Sequence, residues 1–146
     1  LEHLRDAFGV SVTFVDATDH SDVEAAMRPA TKLLYLETPS NPIIDVLDIA
    51  VLADIAREHA ALVFVDSTFA GPLVQRPLVL GADLSLQSAS KSLAGHADLL
   101  AGSAAGSSEL MTARTASSSA CAIGLTGTRS FGRKPARRVL CRHSRP

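Results

Sequence analysis

Two residues that could perform chemistry together lie where short apolar segments end. Asp66 closes the segment ALVFVD, and Lys91 follows DLSLQS within the sequence SASK. Aspartate at such a position most often caps a helix or turn, and most lysines are simply solvated. A buried carboxylate can, however, hold the proton of a cationic ring nitrogen, and a lysine near apolar or cationic groups becomes an amine nucleophile. The pair is therefore a candidate for amine chemistry beside a bound cation.

Hydroxyl and amide side chains accompany this pair. Ser88 and Ser90 could donate hydrogen bonds to a phosphate, and Asn41, between two prolines, could direct its amide at a ring oxygen. All three residue types are also common in turns. If the segment is extended, alternation places both serines on one side and Lys91 opposite. His96 in LAGHAD could act as a base, but a lone histidine near glycine is more often structural.

Alternating strands and helices would position these residues. Short apolar or β-branched runs predict strands at residues 10–16, 32–37, 61–66 and 83–88. The second and third runs are nearly continuous in apolar residues, as expected of strands buried on both faces. A strand, a helix and a strand within about 35 residues form a βαβ unit with a parallel sheet. In such sheets ligands bind at the carboxyl ends of the strands, where the candidate residues lie.

Two helices are predicted between these strands. Ser21 and Glu24 have the spacing of a capping box, which predicts a short helix to about Arg28. Apolar residues at helical spacing predict a second helix from Asp48 to about His59. We find no internal repeat, and we interpret the chain, whose first residue is not methionine, as an internal fragment.

The charge of the chain is unevenly distributed. The 146 residues have a net charge of −1, but all 15 acidic residues precede residue 110, and eight of the 14 basic residues follow residue 113. Residues 111–146 therefore form an atypical basic tail, for which a shifted reading frame, an ordinary disordered tail and a nucleic-acid-binding tail are the alternatives. We favour the first and expect no nucleic-acid partner, because the tail has no interleaved aromatic residues and no recognition module.

Composition excludes several other classes. The chain is 47% hydrophobic, so it should fold rather than remain disordered. No apolar run approaches the ~20 residues of a membrane span. The only two cysteines, Cys121 and Cys141, give neither a disulfide framework nor a metal site. We expect no metal and a cytoplasmic location.

Three segments in this order resemble the Cys/Met-metabolism (trans-sulfuration) family of pyridoxal 5'-phosphate (PLP) enzymes. They are VTFVDATD, TKLLYLETPSNP and the long segment from DIAVLADIAREHA through VDSTFAGPLVQRPLVLGADLSLQSASKSLAGHADLLAG. Lys91 follows Asp66 by 25 residues and Asn41 by 50. The resemblance implies a three-layer α/β/α fold of fold type I, of which residues 1–110 would be a partial large domain that binds PLP.

The resemblance also implies a role for each candidate residue. Lys91 would form the Schiff base with PLP and later carry protons. Asp66 would pair with the pyridine nitrogen, and Ser88 and Ser90 would contact the phosphate. Asn41 would lie near the ring hydroxyl. Glu37 and Thr68 would support the side of the cofactor pocket on which Asn41 lies.

The implied activity is β- or γ-elimination, or γ-replacement, on cystathionine, methionine or an activated homoserine. The implied partners are a small amino-acid substrate and further copies of the chain in a dimer or tetramer. The alternatives are a catalytically inactive remnant of such an enzyme and another PLP enzyme of the same fold. A nucleotide-binding domain is disfavoured because no G-x-G-x-x-G follows a strand. Gln87 and Ser67 depart from the family, which often has histidine and asparagine there.

Overall fold

The computed structural model of the protein describes residues 9–96, 98–115 and 138–143. The described strands are β1 (Val10–Val15), β2 (Thr31–Glu37), β3 (Leu62–Asp66), β4 (Leu84–Ser88), β5 (Gly102–Gly106) and β6 (Arg138–His143). The described helices are α1 (His20–Ala26), α2 (Ile49–Glu58), α3 (Gly71–Val74) and α4 (Ser108–Thr115), and a π-helical turn spans Ala89–Leu93. The strands form a six-stranded sheet in the order β1-β6-β2-β3-β4-β5.

The centre of the sheet is parallel, as the βαβ pattern predicts. β2 pairs with β3, and β3 pairs with β4, in parallel register. Glu37 lies opposite Asp66, and Asp66 lies opposite Leu86, so the carboxyl ends of the three strands meet at one edge. The four strands predicted from the sequence are confirmed to within a residue at each end.

The buried core lies on one face of the sheet. Side chains alternate between the two faces of a strand, and one set from β2 and β3 packs with α1 and α2 in a single buried cluster. The members of this cluster from the two strands and from α2 include Leu34, Leu36, Val63, Val65, Leu52, Ala53 and Ala56. Full burial of each large aliphatic side chain contributes roughly 1.5–3 kcal/mol. The other set of strand side chains, which includes Tyr35 and Asp66, lies on the opposite face.

Both predicted helices form, but the first begins at a different cap. The N-cap of α1 is Asp19, whose side chain accepts a hydrogen bond from the Ser21 amide at 2.9 Å. The expected Ser21 cap is therefore wrong, because Asp19 is available two residues earlier and its carboxylate also binds the Ser21 hydroxyl at 2.5 Å. α2 is capped by Asp48, which accepts from the Val51 amide at 3.1 Å.

Five described elements have no counterpart in the sequence predictions, and two of them are α3 and the π-helical turn at Ala89–Leu93. β5 pairs antiparallel with β4 although its sequence, GSAAG, lacks the β-branched residues typical of strands. α4 begins at Ser108. β6 lies between β1 and β2 and pairs antiparallel with both. Part of the basic tail thus contributes a strand; the domain division at residue 110 itself stays a prediction.

The helices of the described residues include none that is long and apolar enough to cross a membrane.

Candidate cofactor site

The candidate site lies at the carboxyl edge of the parallel strands. Asp66 is the last residue of β3, and Ser88 is the last residue of β4. β3 and β4 are parallel neighbours with Asp66 opposite Leu86, so β4 continues for two residues beyond Asp66 and ends at Ser88. The Ser67 amide donates to the Leu86 carbonyl at 2.9 Å, which extends this pairing by one residue beyond Asp66. The sheet therefore brings the segment after Asp66 next to the segment that leads to Lys91.

The carboxylate of Asp66 is held mainly through one of its oxygens. Thr68 donates to Oδ1 twice, from its amide at 3.0 Å and from its hydroxyl at 2.5 Å. The Tyr35 hydroxyl donates to Oδ2 at the longer distance of 3.4 Å. The aspartate therefore does form the turn contact expected of this residue type, and it also keeps an oxygen with free acceptor capacity.

Thr68 connects Asp66 to the strand that precedes the lysine. Its hydroxyl oxygen, which donates its proton to Asp66, accepts a hydrogen bond from the Ser88 amide at 2.8 Å. One hydroxyl thus uses both its donor and its acceptor capacity between β3 and β4. This bridge fixes the position of Asp66 relative to the start of the turn that carries Lys91.

Two further ionisable groups share the sheet face with Asp66. Burial and then the charge of Asp66 raise the pKa of Glu37, while a hydrogen bond from the Asn41 amide partly opposes them. Burial raises the pKa of Tyr35 as well, and the negative charges of Asp66 and Glu37 raise it further. Each of these two shifts favours the protonated, uncharged form of the side chain, which adds no negative charge next to Asp66.

The loop between β2 and α2 is fixed by contacts with its own residues and with Gln75. The Leu47 amide donates to the buried Thr38 hydroxyl at 2.9 Å, and the Asp45 amide donates to the buried Ser40 hydroxyl at 3.0 Å. Gln75 donates from Nε2 to the Thr38 carbonyl at 2.9 Å. The peptide bonds Thr38–Pro39 and Asn41–Pro42 are cis. The Asn41 backbone amide forms a hydrogen bond with Glu37, whereas the Asn41 side chain is exposed.

Lys91 lies in a tight turn rather than in an extended segment. The turn Ala89–Leu93 is π-helical, with Lys91 itself at non-helical angles of φ −95° and ψ −120°. The Lys91 carbonyl accepts from the Gly95 amide at 2.8 Å, and Gly95 has the positive φ that glycine tolerates. The expectation that Ser88, Ser90 and Lys91 alternate along an extended segment is therefore wrong, because β4 ends at Ser88.

The two serines differ in what their hydroxyls contact. Ser90 Oγ donates to the Ala101 carbonyl at 3.3 Å and accepts from the Ala101 amide at 2.9 Å. Ser88 donates from its amide to the Thr68 hydroxyl, and no described residue forms a hydrogen bond with the Ser88 hydroxyl. Ser88 is thus the serine with hydroxyl capacity left for a ligand, while Ser90 connects the turn to the strand that follows.

His96 lies outside this arrangement. Its side chain is exposed, and its Nδ1 is 3.2 Å from the Ala94 carbonyl, two residues earlier. Among the side chains that the structure describes, no group of three His, Cys, Asp or Glu could hold a metal ion.

Sequence reasoning missed Tyr35, Gln75 and a pair of buried polar atoms. Tyr35 could have been found, because it precedes Glu37 by two residues in the same strand and so shares its face. The contact of Gln75 with Thr38 spans 37 residues and follows no local pattern. Ser67 Oγ and Gln87 Oε1 are buried without a hydrogen-bond partner, on the neighbouring strand ends of β3 and β4.

The residues at this edge fit the chemistry of PLP. Asp66 Oδ2 has one long contact, and no cationic side chain pairs with Asp66 in the described part of the chain, so the carboxylate can accept a hydrogen bond from a protonated ring nitrogen. Lys91 presents an exposed amine, which suits a covalent bond to an aldehyde. Ser88 supplies a hydroxyl for a phosphate. Ser90 fits less well, because its hydroxyl is already engaged with Ala101.

Comparison with known proteins identifies relatives with this cofactor chemistry. The profile of the family described as "Cys/Met metabolism PLP-dependent enzyme" matches residues 1–131. L-Methionine gamma-lyase of Pseudomonas putida is 50% identical over 111 residues, which are 76% of this chain and 28% of that enzyme. A cystathionine beta-lyase of Bacillus subtilis is 49% identical over 98 residues, 67% of this chain and 25% of the relative.

A solved structure shows the same fold. The crystal structure of cystathionine gamma-lyase from Lactobacillus plantarum complexed with L-serine matches with a TM-score of 0.72 and 44% identity, over 77% of this chain and 31% of that one. The chain thus spans between a quarter and a third of the length of these relatives. Its described elements are part of an α/β domain of fold type I, as expected. The chain belongs to the Cys/Met metabolism family of PLP-dependent enzymes.

Proposed function

We propose that this chain supplies the PLP-binding part of a lyase that acts on a sulfur-containing amino acid, by elimination at the β- or γ-carbon. The observation that carries the proposal is the Thr68 hydroxyl bridge, which joins Asp66 to the Ser88 amide at the start of the turn that carries Lys91. The similarity to cystathionine and methionine lyases supports the choice of substrate class.

Each site residue has a role that follows from its chemistry. When bound, PLP supplies a ring that accepts electrons from the substrate. The Lys91 amine would hold the cofactor covalently and, as a free amine, would move a proton at the substrate α-carbon. The Asp66 carboxylate keeps the ring nitrogen protonated. Ser88 and, on release from Ala101, Ser90 donate to the phosphate.

The remaining residues shape the wall beside the ring. Thr68 fixes the orientation of the Asp66 carboxylate through its two hydrogen bonds to Oδ1. Glu37 holds the Asn41 backbone beside the sheet edge, and the Asn41 side chain is exposed and available to a ring hydroxyl. Burial and the charge of Asp66 raise the pKa of Glu37, so Glu37 takes up a proton more readily than an exposed glutamate does.

A second candidate is PLP binding without turnover. This candidate is favoured because the Ser90 hydroxyl is already hydrogen-bonded to Ala101. Of the two serines expected to contact the phosphate, only Ser88 has a hydroxyl that forms no hydrogen bond with a described residue.

We further propose that the chain assembles with copies of itself, as the resemblance implies. The cytoplasmic location stays a prediction. The alternative that the chain acts as another kind of PLP enzyme of the same fold also stays a prediction.

The experiment that tests the proposal follows cofactor binding and turnover together. Purified chain is titrated with PLP and monitored by visible absorption, and L-cystathionine or L-methionine is then added while 2-oxo acid and ammonia are measured. Elimination predicts saturable binding and release of both products in equal amounts. Binding with no product supports the second candidate. The absence of saturable binding contradicts both.

A further inference from the structure

Tyr35 contacts the carboxylate that we assign to the cofactor nitrogen. It lies on β2, one strand away from Asp66, and its hydroxyl donates to Asp66 Oδ2 at 3.4 Å. The register makes this contact diagonal, because Tyr35 lies opposite Phe64, two residues before Asp66 on β3. Residues at such diagonal positions on one sheet face are within reach of a long aromatic side chain.

The contact supplements the two bonds from Thr68. Thr68 holds only Oδ1, so rotation of the carboxylate about its terminal torsion is limited from one side. A donor at Oδ2 limits it from the other side. Among the described residues, Tyr35 is the one that donates to Oδ2. Removal of its hydroxyl therefore leaves the second oxygen without a hydrogen-bond partner among the described residues.

Tyr35 is suited to remain a donor. Burial, Asp66 and Glu37 all raise its pKa above the ordinary value of about 10. The phenol therefore stays protonated at neutral pH and remains a hydrogen-bond donor. A neutral hydroxyl beside a carboxylate forms a charge-assisted hydrogen bond, which is stronger than one between neutral groups.

We propose that Tyr35 is a positioning residue, whose hydroxyl, together with Thr68, orients the Asp66 carboxylate toward the cofactor nitrogen. The part of this inference that concerns the cofactor rests on the function proposed above. The contact between Tyr35 and Asp66 does not, and it can be measured without PLP. A purely packing role for the ring is the competing explanation, and it predicts that phenylalanine would serve equally well.

The first test uses the composition of the chain. Tyr35 is its only tyrosine and it has no tryptophan, so the ultraviolet absorbance of tyrosinate reports Tyr35 alone. We expect its titration midpoint in the full chain to lie above that of free tyrosine. We expect Asp66→Asn to lower the midpoint by about one pH unit, a tenfold change in acid dissociation, because a negative charge is removed.

The control for this titration is Asp54→Asn, which removes a carboxylate that pairs with Arg57 on the exposed side of α2. It should leave the midpoint unchanged. A midpoint that does not move in Asp66→Asn, or that moves equally in both variants, would overturn the contact and the proposal with it.

The second test measures the consequence for the cofactor. Tyr35→Phe keeps the ring and should raise the Kd for PLP about three- to tenfold, as expected for the loss of one hydrogen bond. Thr18→Val is the matched control, because Thr18 makes a similar hydroxyl contact with Asp16, at 2.6 Å, remote in sequence from the site. It should leave the Kd unchanged.

The outcomes separate the two proposals. An unchanged Kd in Tyr35→Phe overturns the positioning role even if the titration shows the contact. If wild-type chain does not bind PLP, the proposed function fails and the role of Tyr35 toward the cofactor fails with it. The titration then still decides whether Tyr35 and Asp66 are in contact.

Discussion

Thr68 illustrates how one side chain can organise a site. Its hydroxyl donates to Asp66 and accepts from the Ser88 amide, so it joins the residue assigned to the ring nitrogen to the segment that leads to Lys91. Valine at this position would keep the shape of the side chain and lose both bonds. Serine would keep the hydroxyl and lose only a methyl group.

We predict that Thr68→Val lowers the free energy of unfolding by about 1–3 kcal/mol, because the Ser88 amide loses its acceptor. It should also weaken PLP binding, while Thr68→Ser should restore most of both properties. Urea unfolding and PLP titration of the two variants check this. Equal losses in the serine and valine variants would mean that the methyl group, and not the hydroxyl, is responsible.

Glu37 makes stability depend on pH in a defined direction. Burial and the charge of Asp66 raise its folded-state pKa, so the folded chain binds more protons than the unfolded chain in the interval between the two pKa values. Stability attributable to Glu37 is therefore greatest below the unfolded pKa and declines as pH rises through the folded pKa.

We predict that Glu37→Gln removes this decline, so that the stability difference between variant and wild type shifts in favour of the variant as pH rises above the ordinary glutamate pKa of about 4.3. Urea unfolding at several pH values measures it. Glu58→Gln, at the exposed end of α2, serves as control. A difference that is constant with pH for Glu37→Gln would contradict the shift in its pKa.

At the level of elements, the local sequence pattern predicted the helices and strands whose apolar residues recur with a clear helical or strand spacing. The helical spacing of apolar residues predicted α2, and runs such as VFVD predicted the parallel strands.

Leu52 lies on the face of α2 that packs in the core, and it is fully buried. We predict that Leu52→Ala lowers the free energy of unfolding by about 2–5 kcal/mol.

The control for this prediction is the neighbouring exposed residue. Val51→Ala changes a side chain on the outer side of α2 and should change the free energy of unfolding much less. Denaturant unfolding compares the two. Similar losses in both variants would show that α2 does not pack on the sheet through the face that carries Leu52.

The elements that local pattern did not predict depend on distant contacts. β5 has little intrinsic strand preference and forms by pairing with β4, and β6 pairs with β1 and β2 from more than 100 residues away. The turn at Lys91 replaced an expected extended segment because β4 ends where Ser88 binds Thr68. The Tyr35–Asp66 contact joins neighbouring strands, so the strand register was needed to locate it.

At the scale of the whole molecule, residues 73–80 carry several of the exposed apolar side chains of the described chain. Leu73, Val74 and Val79 are 93%, 81% and 78% exposed, whereas the apolar side chains of the core are buried. A cavity of about 400 Å³ is lined by residues of the same segment and of the loop after β2, namely Pro39, Val46, Ala70, Val74, Gln75, Arg76, Val79 and Leu80. Contiguous exposed apolar surface often marks an interaction site.

We therefore predict that the chain self-associates, and that the double variant Leu73→Asp with Val79→Asp shifts its mass by light scattering toward the monomer. Ala50→Asp adds a negative charge on the exposed side of α2 and should leave the mass unchanged. A wild-type chain that is monomeric at high concentration, or an associated chain whose mass the double variant leaves intact, would contradict this use of the surface.

The central claim is that Lys91 and Asp66 belong to one PLP site, and chemical trapping tests it most directly. Chain incubated with PLP is reduced with borohydride and its peptides are mapped, with Lys91→Ala and Lys32→Ala as matched variants, since Lys32 is an exposed lysine on β2. The claim predicts a single major adduct at Lys91, abolished by Lys91→Ala and weakened by Asp66→Asn, but unaffected by Lys32→Ala. Equal labelling of both lysines, or no adduct at Lys91, would contradict it.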